Sequence, residues 1–290
     1  MLQITHLPTF VATIFLVVAG AGCGQEQTAS VRSRLETLDA ALAPSAFAAA
    51  MHKVGGAHFH ALTSLRVDSS SKPSPGSKPA SPSAITTTTD LWIDKRGNFR
   101  LVENNDQDGG REIVRVGGEV AVALRYSKML RRPAQDAENA LFVAEALGAP
   151  WAAWEIMRRQ VAVEEAAPGI YRFKLGKRLA KLPAGFPAAE GLRKWRDTVE
   201  VSRLEGQATL ESGSQVPVFF TSKTAFRAVR DQLPVEGEVA VTAIVNQVGK
   251  VADIVMPEAE TLHVRQRTVL EERALLGGLS ASPTAKKLAP

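Results

Sequence analysis

The amino-acid sequence predicts an α+β fold, a long antiparallel sheet whose apolar face is buried under helices. Two observations carry this. From residue 58 onward most of the chain alternates apolar and polar side chains with the period of strands, in runs separated by short turns rich in Gly, Asn and Asp. Residues 136–159 interrupt the alternation, with Leu147, Trp151 and Trp154 recurring at helical spacing.

The chain begins differently. Residues 10–22 are uncharged, apolar and end in small side chains, a signal-peptide core too short to span a bilayer, which takes ~20 apolar residues. The only cysteine, Cys23, follows directly. Gly20-Ala21-Gly22-Cys23 resembles the bacterial lipobox, and that resemblance implies removal of residues 1–22, a diacylglycerol on the Cys23 thiol, a palmitate-type acyl group on the new N-terminus, and the membrane as a partner. Gly20 stands where lipoboxes usually carry Leu, and residues 1–10 hold only His6 where a Lys or Arg is expected. Ala19-Gly20-Ala21 also fits ordinary secretory cleavage, and an uncleaved anchor is the third reading. One acyl chain gives only marginal membrane binding, whereas several on one cysteine make residence effectively permanent. Gly24, rather than Asp, after the cysteine implies by the same resemblance an outer-membrane lipoprotein facing the periplasm.

Without its first 22 residues the chain keeps roughly 265, enough for a large core in one domain. No internal disulfide can form, so stability must come from packing. A formal charge of +5 and a pI near 9.4 suit proximity to anionic lipid head groups, but the basic residues are scattered, so no nucleic-acid partner is expected.

Each element follows in order. Residues 23–44 are small and polar, a lipidated tether with a short helical pattern in Leu35, Leu38 and Leu42. Residues 45–54 place Phe47, Met51 and Val54 at helix spacing, stopped by Gly55-Gly56. A strand runs over 58–67. Residues 69–84, almost purely Ser, Pro, Lys and Ala, read as a disordered insertion between strands. Strands over 85–94, 98–103, 111–116 and 119–126 are joined by turns at 95–97, 104–110 and 117–118, whose residues tolerate positive φ. Pro150 after Gly148 divides the helical stretch in two. A strand at 170–175 and a loop at 177–191 precede strands at 198–204, 207–211, 216–229, 239–248 and 251–256. Residues 267–276 read as a helix that ends a single domain, 45–278, and residues 279–290 as an unstructured tail.

This order of helix, long meander, helical interruption and closing meander resembles the LolA/LolB and LppX/LprG-type periplasmic lipoprotein-carrier superfamily. Its most specific pieces are Arg203 to Glu211 followed by Val216-Pro217-Val218-Phe219-Phe220, read as paired strands bearing a turn, and Val248 to Pro257, read as a final hairpin closing on proline. The resemblance implies a strongly curved, unclosed half-barrel with helices over its concave face and an apolar cavity for acyl chains. Phe142, Leu147, Trp151, Trp154 and Phe219 are then the candidate ligand-binding residues. Loose helical packing would admit a lipid, a lipidated protein or another amphiphile; tight packing would leave only a core. The alternative is a structural, protein-binding lipoprotein of an envelope assembly.

Other constellations are weaker. His58 and His60 share a strand face, as metal ligands two apart do, but no neighbouring sequence completes the set, and a metal is not expected. Asn104-x-Asp106-x-Asp108-Gly109 imitates the start of a calcium loop, yet its twelfth position is Arg115 and a hairpin turn is the better reading. Ser69-x-x-Lys72 falls in the insertion, where nothing holds a nucleophile rigid, and no hydrolase, metalloprotease, phosphate-loop or paired-cysteine motif occurs. A non-enzyme without a cofactor is expected.

Intact mass of the mature protein from a membrane fraction should match a chain starting at Cys23 plus acyl groups, and that added mass should vanish in Cys23→Ser. A soluble, unmodified chain starting at Gly22 would select the secretory reading instead.

Overall fold

A computed structural model describes residues 34–69, 83–135, 137–179, 190–230 and 233–261. The expected signal peptide, Cys23, the body of the Ser/Pro insertion, the helix at 267–276 and the tail lie outside the described residues.

The alternating segments build twelve strands: β1 Gly56–Ser69, β2 Ser83–Asp94, β3 Phe99–Asn105, β4 Gly110–Val116, β5 Glu119–Leu124, β6 Leu130–Pro133, β7 Val161–Ala167, β8 Ile170–Leu175, β9 Glu200–Leu210, β10 Pro217–Arg230, β11 Leu233–Val248 and β12 Glu260–Thr261. They form one sheet in the order β12-β6-β5-β4-β3-β2-β1-β11-β10-β9-β8-β7. Every pairing is antiparallel except the two-residue parallel contact of β12 with β6. The chain therefore starts mid-sheet and steps outward to β6. It crosses to the far edge at β7, then steps back until β11 pairs with β1 from Ala57↔Val248 to Ser69↔Val235. The two edges do not pair, and the sheet is an unclosed half-barrel. Bulges at His58/Phe59, Pro217/Phe219, Ala225/Phe226 and Glu165/Ala167 bend the strands that carry them.

Among the described residues five helical pieces accompany the sheet: α1 at residues 34–42, α2 Pro44–Lys53, α3 Ala137–Gly148, α4 Trp154–Met157 and α5 Glu190–Thr198, with a 3-10 turn at Ala149–Trp151 between α3 and α4. α3, this turn and α4 are the crossover from β6 to β7. Pro150 sits in its 3-10 turn, which explains the division of the helical stretch.

Several expectations change. The first helix read after the tether in Leu35, Leu38 and Leu42 is α1, which takes up the span from residue 34 given to the tether, and Leu38 and Leu42 are fully buried because helical spacing aims them at the core. Ser83 and Ala84, assigned to the disordered insertion, pair with Val67 and Arg66 in the β1–β2 ladder, and Ser69 pairs with Val235 of β11. The loop read over 177–191 ends in α5. β9 and β10 pair across a turn as read, but the break expected at 205–206 between strands 198–204 and 207–211 does not exist: β9 runs straight through Gly206, which reads as a turn only in sequence. A Cβ there would lie 2.0 Å from Phe173 Cε2 and 2.5 Å from the Thr221 carbonyl oxygen, so the glycine is what lets the Phe173 ring lie across the sheet. Strand β7 escaped the sequence reading because only its first half alternates in burial, as an edge strand with Glu164 and Glu165 exposed. Residues 251–256, expected to close a hairpin, make no ladder. They follow the turn at Gly249 as a strap, anchored where Ile254 N donates to Asp94 Oδ2 at 3.0 Å.

The core lies between the concave face and the helices. Phe47 of α2, Phe59 of β1 and Trp151 form one edge-to-face triad, with centroids 4.8, 4.6 and 5.6 Å apart. Trp154, Phe173 of β8 and Phe220 of β10 form a second cluster, in which the indole meets the two phenyl rings edge-on at 5.9 and 6.5 Å and the phenyl rings lie tilted 5.7 Å apart. The crossover thus binds each half of the sheet through one tryptophan. Both indoles also hold α1: Trp151 Nε1 donates to the Leu42 carbonyl at 3.1 Å and Trp154 Nε1 to Asp39 Oδ1 at 2.8 Å. Arg158, with 2% of its side chain exposed, completes the bolt. Its Nε donates to Asp39 Oδ1 at 2.8 Å, its Nη2 to Asp39 Oδ2, and its Nη1 lies 3.3 Å from Glu155 Oε1.

Removing one partner of a buried pair leaves the other charge uncompensated, which costs about 3–5 kcal/mol. Asp39→Ala should lower the unfolding free energy by that much, read as a lower urea midpoint with little change in slope. Asp94 generates a pH dependence. Burial pushes its carboxyl pKa up, but the Ile254 amide, the Asn98 side chain and the amides of Arg96 and Asn98 outweigh burial and hold it below the usual carboxylate value. A depressed folded pKa adds stability that is present above the unfolded value, about 3.9, and lost as pH falls through the folded one. The stability difference between wild type and Asp94→Asn, followed by denaturant unfolding from neutral to acid pH, should shrink as pH drops through that range.

Candidate functional site

The concave face divides along the strand axis. At the end where β1 starts, α1, α2 and the two aromatic triads fill it. At the other end a cavity of about 860 Å³ remains between the sheet and the helices. Its floor is Thr63, Leu65 and Val67 of β1, Phe226 of β10, and Val235 and Val239 of β11, side chains that alternation puts on the inner face, with Val229 at the end of β10 beside them. Its roof is Ala152, Ala153 and Ile156 of the crossover. Lys194, Trp195, Arg196 and Thr198 of α5 form one side.

Local sequence explains why the space is there. Between Trp151 and Trp154, which point into the aromatic core, the crossover carries only Ala152 and Ala153. Two methyl groups therefore face the sheet where a larger side chain would fill the gap. On the floor, Gly237 opposes Val67 and Phe226, and a Cβ on it would meet Phe226 Cζ at 2.7 Å. Phe226 is held flat by Trp195, edge-on at 6.1 Å, so the α5 tryptophan packs against the floor.

α5 is tied down at three points. Arg196 Nη1 lies 3.2 Å from Glu155 Oε2, Arg159 Nη2 donates to Asp197 Oδ1 at 2.7 Å, and Val229 N donates to Thr198 Oγ1 at 3.0 Å. Burial pushes the Arg196 pKa below its usual value, Glu155 and Glu145 pull it back up and Arg158 lowers it further. Arginine starts so far above neutrality that the group stays charged. Glu155 is shared between Arg158 and Arg196, linking the core bolt to the cavity wall.

The sequence-predicted residues fall elsewhere. Leu147, Trp151 and Trp154 are buried core, Phe142 is half-buried on α3, and none lines the cavity. Phe219 pairs with Ile244 on the outer face; its neighbour Phe220, fully buried opposite Ala243, is the one that points inward. The residues that do line the space were missed because they come from three separate strands, the crossover and α5, which forms one side. Its only sequence signal is Leu192, Trp195 and Val199 at helical spacing.

Two further constellations resolve on the outer face and its rim. His58 Nε2 and His60 Nδ1 lie 2.9 and 3.0 Å from one oxygen, Asp90 Oδ1, a carboxylate brought from β2 that no sequence neighbour supplied. His58 also stacks on Trp92 at 4.6 Å, and among the described residues no group of three or more such side chains is arranged to hold a metal. The calcium-like stretch at 104–109 is a hairpin turn. Its Asn105 Oδ1 accepts from Gln107 N and Gly109 N, Asp106 Oδ1 from Thr86 N, and Asp108 Oδ1 from Tyr126 Oη.

No protein-family model matches the chain, and no curated protein does. Among solved structures it is similar to a DUF1329-family protein from Desulfovibrio piger, at 12% identity and a TM-score of 0.24, covering 76% of this chain and 95% of that one. It is also similar to a beta-barrel-like protein of the domain of unknown function DUF1849 from Brucella abortus, at 10% identity and a TM-score of 0.20, covering 65% and 98%. At these scores the likeness is coarse, and the fold rests on the strand order itself.

Proposed function

We propose that this chain is a membrane-anchored envelope lipoprotein that binds a lipid, a lipidated protein or another amphiphile in the concavity of its half-barrel. The observation that carries the reading is the cavity of about 860 Å³, apolar on floor and roof, left open at one end of a face that is otherwise tightly packed. A void of that size would ordinarily be closed by larger side chains, because unfilled apolar surface loses its dispersion contacts. An acyl chain restores them and leaves water, contributing ~0.8 kcal/mol for each buried CH2. The lipobox-like Gly20-Ala21-Gly22-Cys23 supports placing this site at a membrane surface, where such ligands are abundant.

The test follows from the roof. Ala152 is exposed and lines the cavity, so Ala152→Trp fills space without displacing a packed side chain. The variant should unfold at the same denaturant concentration as wild type or a higher one. It should lose both the amphiphile recovered by organic extraction of the purified protein and the uptake of N-phenyl-1-naphthylamine. A wild-type protein that releases no amphiphile and takes up no dye would overturn the reading.

A further inference from the structure

The cavity has dimensions as well as chemistry, and the strand ladders measure its floor. Leu65 lies opposite Val239 and Ser69 opposite Val235, so the floor from Thr63 to Val235 is six residue steps long, ~20 Å at ~3.3 Å per residue. Its width is three adjacent strands, β1, β11 and β10, or ~10 Å at ~4.8 Å per spacing. Trp195, edge-on to Phe226, marks the β10 side. A space of about 860 Å³ over that footprint is ~4 Å deep, the separation of two carbon atoms in contact. The open volume is thus a flat layer one hydrocarbon chain thick. The roof does not divide it, because Ala152 and Ala153 lack the reach and Ile156 is the longest side chain there.

A layer of this footprint has a definite capacity. An extended chain advances ~1.3 Å per bond of ~1.5 Å, so ~16 carbons fit end to end along the floor. Chains in contact side by side need ~4–5 Å each, so the width takes two. The volume gives the same count independently. A cavity of ~150 Å³ closes around the six carbons of benzene, and on that scale this one holds roughly 34. A single chain would leave half the layer unfilled, and a third would have no floor to lie on. Resting on the reading of the cavity as an amphiphile site, we propose that its occupant is a two-chain lipid. Its acyl chains lie side by side along β1, β11 and β10 with their ends toward Thr63, where the filled core begins. Its head group stays outside at the Val235 end, because nothing on the apolar floor would replace its hydration.

The experiment uses the full mature chain, stripped of bound lipid and loaded from cyclodextrin with dipalmitoyl phosphatidylcholine or palmitoyl lysophosphatidylcholine. The two share a head group and differ in chain number. Native mass spectrometry reads stoichiometry, and displacement of N-phenyl-1-naphthylamine reads affinity. The expected result is one dipalmitoyl lipid or two lyso lipids per protein, each excluding the other. Joined chains make the second burial intramolecular, so the dipalmitoyl lipid should bind roughly tenfold tighter or more. Leu65→Trp narrows the layer by filling open space beside a half-buried side chain. With an unfolding midpoint at or above the wild-type value, it should keep one lyso lipid and lose the dipalmitoyl lipid. One lyso lipid per wild-type chain, with no dipalmitoyl complex, would overturn the inference and leave the amphiphile cavity standing. Two lyso lipids that the dipalmitoyl lipid does not displace would overturn the side-by-side placement. Failure of both lipids and the dye to bind wild type would overturn the cavity reading and this inference together.

Discussion

A sheet whose first and eleventh strands are neighbours at its centre has to carry the chain between them once from edge to edge. In this protein β1 and β11 are neighbours at the centre, β6 and β7 lie toward opposite margins, and α3, the 3-10 turn and α4 make the journey over the concave face. Everything else depends on how this crossover is held. Leu147, Trp151, Trp154 and Arg158 are spaced to share one side of it. The two indoles engage opposite halves of the sheet, while the guanidinium and both indole N–H groups engage α1. Desolvating Arg158 is expensive, and the geometry offsets that cost with hydrogen bonds to Asp39 and the charge of Glu155. An apolar side chain there would pack, but it would not dictate where α1 docks.

The same crossover explains the cavity by what it cannot reach. Strands of 14 and 16 residues, β10 and β11, extend much farther than one helical layer is wide. At ~3.3 Å per residue they span roughly 45–50 Å, against ~10 Å for a helix diameter. α1, α2 and the aromatic triads cover one end. Over the other the crossover presents Ala152 and Ala153, and only α5 closes part of the remaining opening. The rest of the concavity is therefore a solid core, and the open end is a deficit of side-chain volume at identifiable residues.

Legibility in the sequence follows from how local each signal is. The hairpins at 95–97, 104–110 and 117–118 were readable because Gly, Asn and Asp mark positive φ, and Gly97, Asp108 and Gly117 adopt it. The inward face of β10 was not. Phe219 and Phe220 are equally apolar neighbours, and the choice between them is set by the bulge between Pro217 and Phe219 and by the register with β11, which pairing partners determine. Gly206 misled for a similar reason: the Phe173 ring that requires it comes from another strand. Asp90 joins His58 and His60 only because β2 runs antiparallel to β1, so their meeting has no counterpart in sequence spacing.

The sequence by itself determined the elements governed by periodicity and turn chemistry: the long meander, the helical interruption split at Pro150, and the α+β class that follows when one apolar sheet face needs cover. It also carries the lipobox-like Cys23, whose meaning is chemical and independent of the fold. Only the tertiary structure decided which end of the concave face is filled, that α5 rather than the crossover tryptophans borders the open space, and how wide its floor is. These are matters of volume and position summed over strands distant in sequence, and no local pattern encodes a space that arises because two alanines pass above six valines, leucines and phenylalanines from three different strands.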